Sequence, residues 1–155
     1  MASETHAPQA PRISPAPRNP PVSEAQHTDL SWLLAGLVER VPHASSALLL
    51  SADGLVKAVH GLEPDTADHM AALSSGLYAL ARSLGARMAG GDGVRQVVVE
   101  LDRSLLCVTR AGQGACLAVL ARREVDAAVL GYEMAMLVKR VRTLLSTPAR
   151  QPGPA

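Results

Sequence analysis

The residues able to do chemistry in this 155-residue chain are few and scattered. The histidines His6, His27, His43, His60 and His69 fall in a Pro-rich stretch, in loops, at a strand end and at a helix start. None has the paired spacing of a zinc ligand set. Cys107 and Cys116 fall on neighbouring strands of an expected hairpin and could lie nearly opposite. Two small buried hydrophobes is the leading reading, with a cross-strand disulfide or a reactive thiol as alternatives. Asp65 and Asp68 suit a helix N-terminus, where a carboxylate meets free amides and the positive end of the dipole. Gly90-Gly91-Asp92-Gly93 is Gly-rich but precedes a strand, so it lacks the helix opening of a phosphate cradle. Neither a P-loop nor a G-x-S-x-G elbow occurs. No catalytic residue, metal or cofactor is expected.

Composition narrows the function classes further. Hydrophobic residues make up 48% of the chain, yet Phe is absent and aromatics reach only 2%. The core must therefore be built from Leu, Val, Ala and Met, and a base-stacking platform is disfavoured. A formal net charge of +1 gives no electrostatic case for nucleic acid. No apolar run approaches the roughly 20 residues of a membrane span, and the N-terminus has no signal-type apolar segment. A cytoplasmic protein is expected, with any membrane recruitment coming through partners.

The chain divides into a tail, one domain and a second short tail. Residues 1–27 hold six of the eleven prolines and read as disordered. Residues 28–146 read as the folded domain, and 147–155 as a frayed end. A helix is expected from an N-cap at Thr28 or Asp29 to just before Pro42. Its buried stripe is Leu30, Leu33, Leu34, Leu37, Val38 and Val41. Trp32, the only tryptophan, faces the other way: either something covers it or it anchors a partner. Ala47–Gly61 then reads as a hairpin turning at Ala52-Asp53-Gly54, with the Asp-Gly pair suited to a primed turn. Its first arm, Ala47–Ser51, is apolar throughout; in its second, Leu55, Lys57 and Val59 alternate with Val56, Ala58 and His60.

A long helix follows, capped by Asp65 and ending near Met88. One stripe (Met70, Leu73, Leu77, Leu80, Leu84, Met88) is made for burial, and another (Ala72, Gly76, Ala79, Ser83) is made of small residues. Such a helix is expected to pack on two things, the sheet and a second copy. Three strands come next, Val94–Leu101, Ser104–Arg110 and Ala115–Ala121, then a last helix over about Val125–Leu145. If the wholly apolar strands Ala47–Ser51 and Ala115–Ala121 are adjacent and central, the sheet edges are Leu55–His60 and Val94–Leu101. The first edge is protected by Lys57 and His60. The second exposes Val97-Val98-Val99, which a second copy of the chain would cover.

Several short segments, weak singly but specific in order and spacing, carry a resemblance. They are Trp32-Leu33-Leu34 with Val41-Pro42, Ser51-Ala52-Asp53-Gly54-Leu55, and Leu73-Ser74-Ser75-Gly76-Leu77. Further on come Val98-Val99-Glu100, Cys116-Leu117-Ala118-Val119-Leu120-Ala121 and Gly131-Tyr132-Glu133-Met134. From Asp29 to Arg150 the chain resembles the bacterial roadblock (dynein light-chain roadblock-type) domain. It is most similar to actinobacterial members encoded beside a Ras-like small GTPase and a sensor-kinase-like protein. The resemblance implies an α/β roadblock/longin-like sandwich, ordered α-β-β-α-β-β-β-α, with a five-stranded mixed or antiparallel sheet flanked by helices. It also implies a homodimer and a non-enzymatic role in binding the GTPase, with the kinase-like protein as a further partner. The expected dimer surface is Leu77, Leu80, Leu84, Val97 and Val99. The expected partner contacts are Trp32, Tyr78, Arg82 and Arg87. A small-molecule sensor of PAS or GAF type is the alternative, although a sheet face of Leu, Val and Ala offers few polar handles for a ligand.

Overall fold

The computed structural model describes residues 11, 22–88, 90–91 and 93–146, with side chains of the continuous chain from Leu30 on. In chain order the elements are α1 (Val22–Arg40), β1 (Ala44–Ser51), β2 (Val56–His60), α2 (Pro64–Met88), β3 (Gln96–Glu100), β4 (Ser104–Arg110), β5 (Ala115–Arg122) and α3 (Ala127–Ser146). The strands form one antiparallel sheet in the order β2-β1-β5-β4-β3. The two apolar strands are adjacent and central, and β2 and β3 are the edges, as their sequences require.

Two independent cores sit on the two faces of the sheet. On one, α1 and α3 bury Leu34, Leu37, Leu130, Met134 and Leu137 against Ala47, Leu49, Cys107, Leu117 and Val119. On the other, α2 packs Ala67 and Ala71 against Leu48, Leu50, Val108, Cys116 and Ala118. Alternation along β1 (Ala47 and Leu49 one way, Leu48 and Leu50 the other) feeds both cores from one strand.

Local differences from the sequence reading have clear causes. α1 begins at Val22, well before Thr28, so residues 22–27 are helical and not part of the Pro-rich tail. Glu24-Ala25-Gln26 are good helix formers. The rest of that tail, residue 11 apart, and residues 147–155 lie outside the described residues. α2 starts at Pro64, with the Ala67 amide donating to the Glu63 carbonyl (2.8 Å), so the cap position is Glu63 and not Asp65. Proline at the first helical position gives up an amide that would have no partner anyway. α3 is capped by Asp126, whose Oδ1 accepts from the amides of Ala128 (2.9 Å) and Val129 (3.1 Å).

The β1–β2 turn is also not a primed turn. Of its residues only Gly54 has positive φ (85°), and the Gly54 amide donates to the Ser51 carbonyl (2.9 Å). That is a three-residue connection closed by a left-handed glycine. Ser51 Oγ donates to Asp53 Oδ1, so Asp53 braces the turn. A bulge opposite Leu49 and Leu50 skips Lys57 in the pairing, which puts Val56 and Val59 on the same α2-side core. The simple alternation expected for β2 is broken there.

Candidate functional site

α2 allocates its side chains in a way that defines the first candidate surface. The residues it buries are small: Ala67, Ala71 and Ser74. Its large apolar residues face away from the sheet, with Leu80 70%, Leu84 64% and Met88 79% exposed and Leu73 alongside them. The stripe Leu73–Met88 was expected to be the buried face; the sheet-facing stripe is instead Ala67, Ala71, Ser74 and, half-buried, Tyr78. The β1–β2 turn comes up beneath α2, and a Cβ at Gly54 would meet Ala72 Cα and Ser75 Cβ at 3.4 Å each. The turn therefore lies in van der Waals contact with α2 at Ala72 and Ser75. Of the small-residue stripe, Gly76 faces open space.

α2 also reaches the strand at the open edge of the sheet. β3 is hydrogen-bonded only to β4. Val97 and Val99 are half-buried and pack with Leu77 on the α2-side core, while Val98 and Leu101 are exposed. Of the five residues named for a dimer surface, Leu77, Val97 and Val99 are half-buried against the α2-side core, and Leu80 and Leu84 are exposed on α2. Val98, named with the exposed edge, is exposed as expected, and Leu73, Met88 and Leu101 were not among the five. For Leu73 and Met88 the spacing was legible, but periodicity marks a stripe without saying what covers it.

The four partner-contact candidates do not form one surface. Trp32 is 74% exposed on α1, across the sheet from α2. It borders a small groove lined also by Leu33, Gly36, Glu39, Arg40 and Arg140. Arg40 Nε donates to Glu133 Oε2 (2.9 Å), tying α1 to α3 along that groove. Arg87 is exposed in the last turn of α2. Tyr78 and Arg82 turn toward the end of the sheet, into a cleft they share with Arg110 and Cys116.

The cysteines face opposite ways, Cys107 into the α1/α3 core and Cys116 into the α2 core. Cys107 pairs with Val119 and Cys116 with Arg110, so no disulfide can join them. Counting back from the turn at Gly112-Gln113-Gly114 would have shown this register. Burial pushes the Cys107 thiol up, partly offset by a hydrogen bond with Gln96. Burial likewise pushes the Cys116 thiol up, and the Arg110 and then the Arg82 guanidinium pull it back. Both thiols stay protonated at neutral pH, which argues against the thiol-enzyme reading. Among the described residues no group of His, Cys, Asp and Glu could hold a metal ion. No helix among them is long and apolar enough to cross a membrane.

The family profile of the Roadblock/LC7 domain matches residues 30–121, from α1 to the end of β5 and well over half of the chain. The chain belongs to the Roadblock/LC7 family. A Roadblock/LC7 domain from Streptomyces avermitilis, solved by crystallography, is 71% identical, with TM-score 0.74 over 76% of this chain and 98% of that one. A second from the same species is 40% identical, with TM-score 0.61 over 74% of this chain and 99% of that one. Myxococcus xanthus MglB shares the fold at 15% identity, with TM-score 0.72 over 83% of this chain and 96% of that one. No curated protein matched the chain. The PAS or GAF alternative is not supported: the chain belongs to the Roadblock/LC7 family, and aliphatic side chains pack on both sheet faces.

Proposed function

We propose that this roadblock domain is a homodimeric, non-enzymatic adaptor that binds a Ras-like small GTPase and modulates its nucleotide cycle or its location within a signalling complex. The observation that carries the dimer is the row of Leu73, Leu80, Leu84 and Met88 standing in solvent beside the unpaired edge of β3. Contiguous exposed apolar surface next to an open strand is what a soluble protein covers. A second copy related by a two-fold axis would pair β3 with β3 and extend the sheet. The GTPase reading rests on the likeness to bacterial roadblock proteins, and it is supported by MglB among the proteins that share the fold. A sensor-kinase-like protein of the same system is a further proposed partner. Tyr78, Arg82 and Arg87 on α2 are proposed GTPase contacts, with Trp32 a separate anchor on the far side.

Copurification with a small GTPase that depends on whether GDP or GTP is bound tests the partner. Light scattering tests the dimer. Leu80→Asp with Leu84→Asp is expected to give a folded monomer, since both side chains lie outside the core. A wild-type monomer that retains no GTPase in either nucleotide state overturns the proposal.

A further inference from the structure

On the sheet face opposite α2, a groove of about 220 Å³ opens between α1 and α3. Trp32, Gly36, Glu39 and Arg40 from α1 and Arg140 from α3 are among the residues that line it. Trp32, Gly36 and Arg40 follow one another at four-residue spacing, so they form one row along α1. The glycine makes the depression in that row. A Cβ at Gly36 would lie 3.0 Å from Arg40 Nη1, so the Arg40 guanidinium reaches back over the bare backbone there. Arg40 Nε donates to Glu133 Oε2 (2.9 Å), which holds the guanidinium in place from α3. The Arg40 side chain nevertheless keeps 43% of its surface open, so its planar group is accessible from solvent. On α3, Val129 and Tyr132 are exposed on the side that they share with Arg140 at helical spacing.

We infer that this groove is the docking site for a second copy of the chain, each copy inserting its Trp32 into the groove of the other. A held, flat guanidinium beside apolar walls is a receptor for an aromatic ring, and Trp is the strongest cation–π partner. The chain has one Trp, and that Trp borders the same groove. Ring and receptor on one patch are what a two-fold interface requires, because every contact in it is made twice with the roles exchanged. The charges of the patch are self-complementary in the same sense. Glu39 and Arg140, both exposed, line the groove from different helices. Across a two-fold axis Glu39 of each copy can meet Arg140 of the other. A partner of one charge sign would match only one of them; a second copy matches both. Because α1 and α2 cover opposite faces of the sheet, this contact and the proposed α2 dimer can form together. It gives the Trp32 anchor its partner and depends on neither the GTPase nor the α2 dimer. With a single aromatic anchor, it belongs with the weak interfaces of under about 1,200 Å².

Sedimentation equilibrium of the full-length chain, from about 1 μM to about 1 mM, separates the two faces. The α2 dimer is judged on the wild type at the lower end, where the weak α1 contact is not populated. The α1 contact is judged at the upper end, in the Leu80→Asp, Leu84→Asp variant. There a monomer–dimer equilibrium is expected, and Trp32→Ala is expected to weaken it about tenfold or more. Glu39→Arg or Arg140→Glu alone places like charges opposite each other and is expected to weaken it several-fold. The two reversals together restore the reciprocal pair and are expected to recover most of the association. Fluorescence of Trp32 is expected to shift to the blue over the same concentration range as the ring leaves water. No association at the upper end, or association that Trp32→Ala leaves unchanged, overturns the proposal. So does a double reversal no better than either single one, with circular dichroism showing every variant folded. A groove that stays empty in self-association but takes up another protein overturns it equally.

Discussion

The two faces of the sheet spend the same aliphatic residues in opposite ways. Over β1 and β5 on one face, α1 and α3 bury Leu34, Leu37, Leu130 and Leu137, with Leu37 and Leu130 at 0% exposure, and only Leu144 and Leu145 in the last turn of α3 are exposed among their leucines. On the other face, α2 buries Ala67, Ala71 and Ser74 and holds Leu73, Leu80 and Leu84 out in solvent. The first face is a finished core. The second is half of one. Burial of a leucine is worth about 1.5–3 kcal/mol, so a helix that exposes several leaves that stabilisation available to whatever covers it. A stable fold and a sticky surface are thus assigned to opposite sides of one sheet, and either can change without rebuilding the other.

The largest effect expected of this division is on unfolding. Leu37→Ala is expected to cost about 2–5 kcal/mol, from lost transfer energy plus the cavity left between α1 and the sheet. Leu84→Ala, measured by urea denaturation at concentrations too low for self-association, is expected to stay within about 0.5 kcal/mol of the parent. Comparable losses at the two sites would mean that α2 is covered by this chain after all, and the contrast would be gone.

A smaller effect probes the α2 face itself. Ser74 is fully buried, and its hydroxyl has no hydrogen-bond partner among the described residues. A buried hydroxyl left unpaired costs about 1–3 kcal/mol, and alanine is also the better helix former. Ser74→Ala is therefore expected to stabilise the domain by about 1 kcal/mol in thermal or denaturant melts. Destabilisation would show that the hydroxyl is satisfied in solution and that this face is better finished than its small residues suggest.

The contrast was only partly legible in the sequence. Strand order could be read because Ala47–Ser51 and Ala115–Ala121 are apolar on both sides of the pleat, and only central strands can bury both. The buried stripe of α1 was legible for a similar reason: it has a single apolar face. α2 has several, and periodicity ranks them by hydrophobicity when the structure ranks them by fit. The turn at Gly54 lies against Ala72 and Ser75 of α2, whose sheet-facing residues are Ala67, Ala71 and Ser74. That contact depends on how closely a turn approaches a helix far along the chain, which no local pattern carries. The early start of α1 was missed because the proline-rich composition around it masked a short run of good helix formers.

The smallest effect concerns what closes the finished face. Arg40 and Glu133 form an ion pair that bridges α1 and α3. Its geometry is good at 2.9 Å, yet the arginine is 43% exposed, so solvent screens the attraction and long side chains must be held still to keep it. A double-mutant cycle of Arg40→Ala and Glu133→Ala is expected to give a coupling of about 0.2–1 kcal/mol. It should shrink further at about 1 M salt, where the screening length falls to about 3 Å. A coupling of several kcal/mol, persisting in salt, would mean that α1 and α3 are held together by charge. The two faces would then differ in chemistry and not in completeness. A small, salt-sensitive coupling leaves leucine packing as what closes α1 and α3 over the sheet, and α2 as the helix that lacks the same cover.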